Sequence, residues 1–330
     1  MTASVALVTG SSLPDDTVAQ LRGAGLEVVF MGKTIDEPAV LAHVARHKVT
    51  VVVLRGPAPF TPKVFEAAKD LKIIAKYGAG IDSVDVASAT AHGVAVMITN
   101  GSNAAAVAEH SLALMLALTR ELPRFDRVLR AGGWKDQSYL VRDFSERTVG
   151  IVGYGQIGRR TAALVAAFGA KVVIYSRTPG TAPQGMEWET DLDRLVARVD
   201  ILSLHCPLTD KTRGMIGKKQ LALMKPEAIL VNTARGQLVD EAALVEALKN
   251  GKLFGAGLDV FEREPADPKN PLFALPNVLC TPHIGSTTTG ASAQMGVIMS
   301  QNILCWLRGE VYDPANFINP QVMKGGAAKK

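Results

Sequence analysis

Cysteine is scarce in this chain: Cys206, Cys280 and Cys305 are the three present in 330 residues, with no CxxC pair and no His/Cys cluster at metal-ligand spacing. That argues against a disulfide scaffold, gives no reason to expect a metal, and points to a reducing cytoplasm. Long hydrophobic runs are lacking as well, since no stretch approaches the roughly 18 to 20 apolar residues of a membrane span. The opening MTASVALVTGSSL has no basic region before its apolar run and reads as a first strand rather than a leader. Charge of one sign is missing too: 36 basic residues are dispersed among 31 acidic ones, without a basic run or an aromatic-basic stripe, so nucleic acid is not expected as a partner. The net charge of +5 fits an anionic substrate and cofactor. No repeat indicates a solenoid, and no further domain is expected beyond Lys330.

What is present is the balance of a soluble globular protein, 48% apolar and 20% charged, at a length that favours two compact domains of about 150 residues each. Short β-branched runs at Val5 to Val8, Val28 to Phe30, Val51 to Leu54, Ile73 to Lys76 and Val94 to Met97 predict strands. Helical patterns such as Asp15 to Ala24 and Pro38 to His47 alternate with them, the signature of a parallel α/β sheet. Ala104 to Thr119, AAAVAEHSLALMLALT, predicts a helix apolar around most of its circumference, which is either deep in a domain or the contact of a homodimer. A second α/β series starts at Thr148, its strands ending in Gly, Ser, His, Asn or Asp, where a parallel sheet presents ligand-binding loops. A helix is predicted from Ser286 to Leu307.

Gly153-Tyr154-Gly155-Gln156-Ile157-Gly158 is a G-x-G-x-x-G between the apolar strand Val149 to Val152 and the helical run Arg159 to Phe168. In that context it predicts dinucleotide binding: the first glycine for a tight turn, the second for approach of the pyrophosphate, the third for helix-strand packing, with the helix N-terminus facing the anion. About 20 residues further on, where a carboxylate would bind the ribose hydroxyls of NAD, stand Ser176, Arg177 and Thr178. Nothing there repels a 2′-phosphate and Arg177 can pair with it, so NADP is favoured over NAD; the alternative is that Arg177 stacks on adenine and both cofactors are accepted.

NTARG at 232–236, AGLDVFEREP at 256–265 and TPHIGSTT at 281–288 resemble, in the same order, signatures of the D-2-hydroxyacid dehydrogenase family, the phosphoglycerate dehydrogenase and glyoxylate and hydroxypyruvate reductase relatives. HCPLTDKTRGMIG at 205–217 and KYGAGIDSVD at 76–85 are similar to two further family segments, so the likeness covers nearly the whole chain. It implies a flavodoxin-like substrate domain, 1–103 with 286–330, and a Rossmann cofactor domain, 104–285, with a cleft between them. The activity implied is hydride transfer between NAD(P)H and C2 of a small 2-keto or 2-hydroxy acid.

The resemblance places Arg235, Glu264 and His283 at the family's triad. An imidazole titrates near working pH, so His283 is the candidate general acid or base, Glu264 its orienting carboxylate, and Arg235 the planar fork for the substrate carboxylate. It implies cofactor contacts at Val107, His205, Cys206, Pro207, Thr212, Thr233, Ala234, Arg235, Asp259, His283 and Gly285, with Cys206 a small filler rather than a nucleophile. Asp259 ends an otherwise apolar strand, which is costly unless it meets a donor, here assigned to the carboxamide. Ala79 and Gly80 are placed against the substrate, and Arg55 against a phosphate or second carboxylate on its tail; Tyr77 is left unassigned. His43, His47 and His92 read as solvated or structural, and His110, beside Glu109 on the apolar helix, as structural. Two other readings remain at this point: a non-catalytic NAD(H)-sensing protein of the corepressor kind, and a formate or phosphite dehydrogenase, of which Glu264 disfavours the formate type.

Overall fold

A computed structural model describes residues 4–176 and 183–323. The chain divides into two compact units, Met1–Asn103 with Thr289–Lys330, and Ala104–Thr288.

In the first unit, β1 (Val5–Val8), β2 (Glu27–Phe30), β3 (Val49–Leu54), β4 (Ile73–Lys76) and β5 (Ala95–Met97) alternate with α1 (Asp15–Gly23), α2 (Glu37–Arg46), α3 (Pro62–Ala67) and α4 (Val86–Ala91). Every strand pair is parallel and the order is β2-β1-β3-β4-β5, the flavodoxin-like arrangement. β1, β3 and β5 are buried at every position, as expected of strands covered by helices on both faces. Helix starts follow the local chemistry: Asp36 and Asp85 cap α2 and α4 by accepting the N–H groups of Ala39 and Ser88.

The second unit opens with α5 (Ala104–Thr119) and α6 (Leu122–Arg130). The sequence left α5 either inside a domain or at a partner; ten of its sixteen residues are buried, and it packs on the sheet and its neighbouring helix within its own unit. The rest is β6 (Thr148–Val152), α7 (Gln156–Ala167), β7 (Lys171–Tyr175), β8 (Met186–Trp188), α8 (Leu192–Arg198), β9 (Ile201–Leu204), α9 (Lys218–Leu223), β10 (Ile229–Asn232), α10 (Glu241–Lys249), β11 (Gly255–Leu258) and β12 (Val278–Cys280). These strands form a parallel sheet in the order β12-β11-β10-β9-β6-β7-β8. Strand order reverses at the β6/β9 pair, with β7 and β8 added on one side of β6 and β9 to β12 on the other, the switch point where open α/β sheets bind ligands.

α11 (Thr289–Leu307) belongs to the first unit, where it packs on α1 and β4. It starts at Thr289, three residues beyond the expected Ser286, because Ile284 to Thr288 are held in a turn: Thr287 N–H donates to the Ile284 carbonyl at 2.7 Å. No helix among the described residues is long and apolar enough to cross a membrane.

Candidate active site

At the carboxyl end of β6 the three glycines meet three different surroundings. Gly153 has φ +97°, and a Cβ there would lie 2.7 Å from the Cys206 backbone nitrogen, so the turn and the close pass of the β9 loop both require glycine. At Gly158 a Cβ would fall 2.0 Å from the Gly153 carbonyl oxygen, which presses α7 against the turn. Gly155 meets nothing within 4 Å. It is the N-cap of α7 and offers no side-chain cap, so the helix opens with exposed N–H groups beside empty space. That is the cradle a pyrophosphate requires, and Gln156 and Ile157 form its first turn.

Other residues implied as cofactor contacts line this carboxyl edge. Ser176 follows β7; Arg177 and Thr178 lie outside the described residues. The His205 ring bonds Ser203 Oγ at 2.9 Å, and burial pushes its pKa down to about 3, so it is neutral at any working pH. Thr212 Oγ1 donates to the Pro207 carbonyl at 2.8 Å, shaping the loop after β9. Thr233 Oγ1 meets Ser111 Oγ at 2.8 Å, while Val107, one turn earlier on α5, is buried. Burial raises the Cys206 and Cys280 thiols to about 11, which keeps both protonated and unreactive.

After β10, Asn232 braces the loop that carries Arg235. Its Nδ2 donates to the Arg235 carbonyl at 2.8 Å and its Oδ1 accepts from Ala234 N–H at 3.0 Å. Gly236 follows because a Cβ there would collide with the Phe261 carbonyl carbon at 1.9 Å. The Arg235 guanidinium donates to the Ala234 carbonyl at 2.7 Å.

Glu264 and His283 come from the loops after β11 and β12. His283 Nδ1 lies 2.6 Å from Glu264 Oε2, and Glu264 Oε1 accepts from Phe261 N–H at 3.1 Å, which fixes the carboxylate. The bond from Glu264 raises the His283 pKa and outweighs burial and the opposing charge of Arg235. Burial alone would raise the Glu264 pKa, but His283, the Phe261 N–H and Arg235 together bring it below its ordinary value. The three groups are therefore mutually coupled: a cation, an anion and a histidine kept protonated to higher pH.

Asp259, 2% exposed, was expected to spend its carboxylate on a cofactor amide. Donors inside the protein already meet it: Oδ1 accepts from Thr281 Oγ1 at 2.6 Å and Ile284 N–H at 2.8 Å, and Oδ2 accepts from Gly285 N–H at 2.8 Å. Burial pushes its pKa up, and His110, Thr281 and the two backbone N–H groups more than reverse that. Sequence reasoning missed His110 as a member of this cluster. Its one signal was a polar ring on an otherwise apolar helix face.

Within the first unit, the loops after β1, β3 and β4 bring Ser12, Arg55 and Tyr77 to the β1/β3 switch point, beside Lys76 at the end of β4. The Arg55 guanidinium donates to the Ser12 carbonyl and lies 4.9 Å from the centroid of the Tyr77 ring. Lys76 Nζ donates to the Gly56 carbonyl at 2.8 Å, and Tyr77 Oη to the Ser292 carbonyl at 2.6 Å. Gly78 N–H is held by Thr99 Oγ1 at 2.9 Å, leaving Ala79 exposed and Gly80 partly so.

A seven-stranded parallel sheet with an uncapped glycine turn at its switch point is the architecture of a dinucleotide-binding α/β protein, and Arg235, Glu264 and His283 lie on the same carboxyl edge. Residues 112–285 match the family model for the D-isomer specific 2-hydroxyacid dehydrogenase, NAD binding domain. The chain is 42% identical over 313 residues, 94% of its length, to D-3-phosphoglycerate dehydrogenase of Mycobacterium bovis, and spans 58% of that relative. It is 41% identical over 273 residues to glyoxylate reductase of Korarchaeum cryptofilum, covering 81% of each chain. Among solved structures, an NADPH-dependent glyoxylate/hydroxypyruvate reductase from Sinorhizobium meliloti, in complex with NADP and malonate, superposes with a TM-score of 0.84 at 32% identity, over 96% of this chain and 98% of that one. This chain belongs to the D-isomer-specific 2-hydroxyacid dehydrogenase family.

Proposed function

We propose that the chain is a D-2-hydroxyacid dehydrogenase that interconverts a small 2-keto acid, of the glyoxylate, hydroxypyruvate or phosphohydroxypyruvate type, with its 2-hydroxy acid. The observation that carries this reading is the 2.6 Å contact between His283 and Glu264, with Arg235 close enough to influence both. Because Nδ1 is committed to Glu264, Nε2 is the nitrogen that exchanges a proton with the C2 oxygen. Arg235 binds the substrate carboxylate and favours negative charge developing on that oxygen. Gly153, Gly155, Gln156, Ile157 and Gly158 would hold NAD(P), which when bound would supply or accept the hydride. In reduction the carbonyl gains one hydride at C2 and one proton at oxygen, and His283 is left neutral.

The cofactor preference rests on Ser176-Arg177-Thr178, which favours NADPH. Arg55, Ala79 and Gly80 are assigned to the substrate, with Arg55 toward an anionic tail. A homodimer belongs to the same proposal. Since α5 is mostly buried in its own unit, the exposed Leu122, Leu129, Trp134 and Leu140 nearby carry the contact. Three unpaired cysteines fit a reducing cytoplasm.

Turnover of glyoxylate, hydroxypyruvate, phosphohydroxypyruvate, pyruvate and phosphite, in both directions and with each nicotinamide cofactor, tests the reading. Reduction of at least one 2-keto acid is expected. Activity confined to phosphite, or cofactor binding without any turnover, overturns it. Sedimentation of the wild type against Trp134→Glu and Leu140→Glu tests the dimer, which the charges should dissociate.

A further inference from the structure

We propose that His110 is a positioning residue for His283, acting through Thr281 and Asp259; this rests on the reading of His283 as the acid-base group. His283 has φ +54°, the left-handed region that side-chain-bearing residues avoid. That conformation needs restraint from outside the residue, and the restraint comes from Asp259. Its backbone carbonyl accepts the His283 N–H at 2.8 Å, and its carboxylate accepts the next two N–H groups, Ile284 and Gly285, each at 2.8 Å. Successive N–H groups turned onto one anion form a nest, here filled by a side chain of the protein itself.

The orientation of that carboxylate depends in turn on Thr281 and His110. Thr281 Oγ1 donates to Asp259 Oδ1 at 2.6 Å, which leaves the hydroxyl oxygen to accept from a neighbour. That neighbour is His110 Nε2, 2.9 Å from Thr281 Oγ1 and 3.5 Å from Asp259 Oδ1. The pairing places a proton of the His110 ring on Nε2. His110 sits on α5, which packs on the sheet, so the ring refers the catalytic loop to a rigid element rather than to another loop. Its edge also closes on the turn from the side: a Cβ at Gly285 would lie 3.4 Å from the His110 Cδ2. His110 therefore supports the proton donor without being placed on the substrate.

The test is steady-state kinetics of keto acid reduction, with cofactor binding measured separately. His110→Ala should lower kcat on the order of tenfold, with the cofactor Kd within about twofold of wild type, because the loop loses its donor and not the dinucleotide cradle. His110→Gln, which can carry an N–H to the same place, should recover most of that loss. Thr281→Val should lower kcat similarly, and combining it with His110→Ala should add little, since both remove one path. Should His110→Ala fold poorly, comparison of Gln with wild type and with Thr281→Val reads the same path. A wild-type kcat in His110→Ala, equal losses in Ala and Gln, or additive losses in the double variant would overturn the proposal. His283→Ala separates the two readings. If it is inactive while His110→Ala is not, the positioning role alone fails; if it stays active, the acid-base assignment fails as well.

Discussion

His283 Nδ1 and Glu264 Oε2 lie 2.6 Å apart, and the imidazole reaches that carboxylate from a left-handed backbone. One ring nitrogen is thereby spent on orientation and charge, and the proposed function assigns the other to the substrate oxygen. That division of labour underlies the first two predictions.

Replacing His283 by alanine should reduce turnover by about a thousandfold or more, since both the proton donor and the partner of Glu264 are removed. The proposed dinucleotide cradle is Gly153 to Gly158, so the cofactor Kd, measured by fluorescence titration, should stay near wild type. Retention of most of the rate would remove His283 from the mechanism.

Glu264→Gln should move the fall of the reductive rate to lower pH. Glu264 raises the His283 pKa, so in the wild type the protonated donor survives to higher pH and is lost as pH rises through that raised value. A neutral amide withdraws that support and the ring deprotonates sooner. A pH-rate profile that does not shift would contradict the coupling.

Arg235→Lys keeps the charge but loses the planar fork, and lysine cannot bind a carboxylate bidentately. A drop in kcat/KM of roughly 10- to 100-fold is expected, expressed in both KM and kcat if the group binds carboxylate and developing alkoxide. A change in KM alone would limit Arg235 to binding.

Two glycines of one motif should fail differently. Gly158→Ala puts a methyl 2.0 Å from the Gly153 carbonyl and should lower the melting temperature or prevent folding. Gly155→Ala meets nothing in the protein, so it should fold normally and lose dinucleotide affinity instead. Thermal denaturation beside cofactor titration distinguishes the two, and an unaffected Kd in Gly155→Ala would place the pyrophosphate elsewhere.

Much of the architecture was legible along the chain. β1 and β4 fall on the residues their β-branched runs predicted. Boundaries moved where side chains or turns intervene: β3 begins at Val49 rather than Val51, and α11 at Thr289 rather than Ser286. The glycine motif was readable because its roles are local, set by a turn and the strand and helix that flank it. Arg235, Glu264 and His283 were readable as motif positions, and the fold brings Glu264 and His283 into contact from two separate loops.

The sequence by itself determined two parallel α/β series and the glycine turn, because periodicity and glycine spacing act over short stretches, while Arg235, Glu264 and His283 were singled out by the family resemblance of their motifs. Only the tertiary structure decided that α5 is a buried internal element, that Asp259 is met by donors of its own protein, and that His110 reaches Thr281 in the loop that carries His283. Those outcomes depend on which side chains face one another across elements far apart in the chain. Helix packing and strand order set that geometry, and no local pattern encodes it.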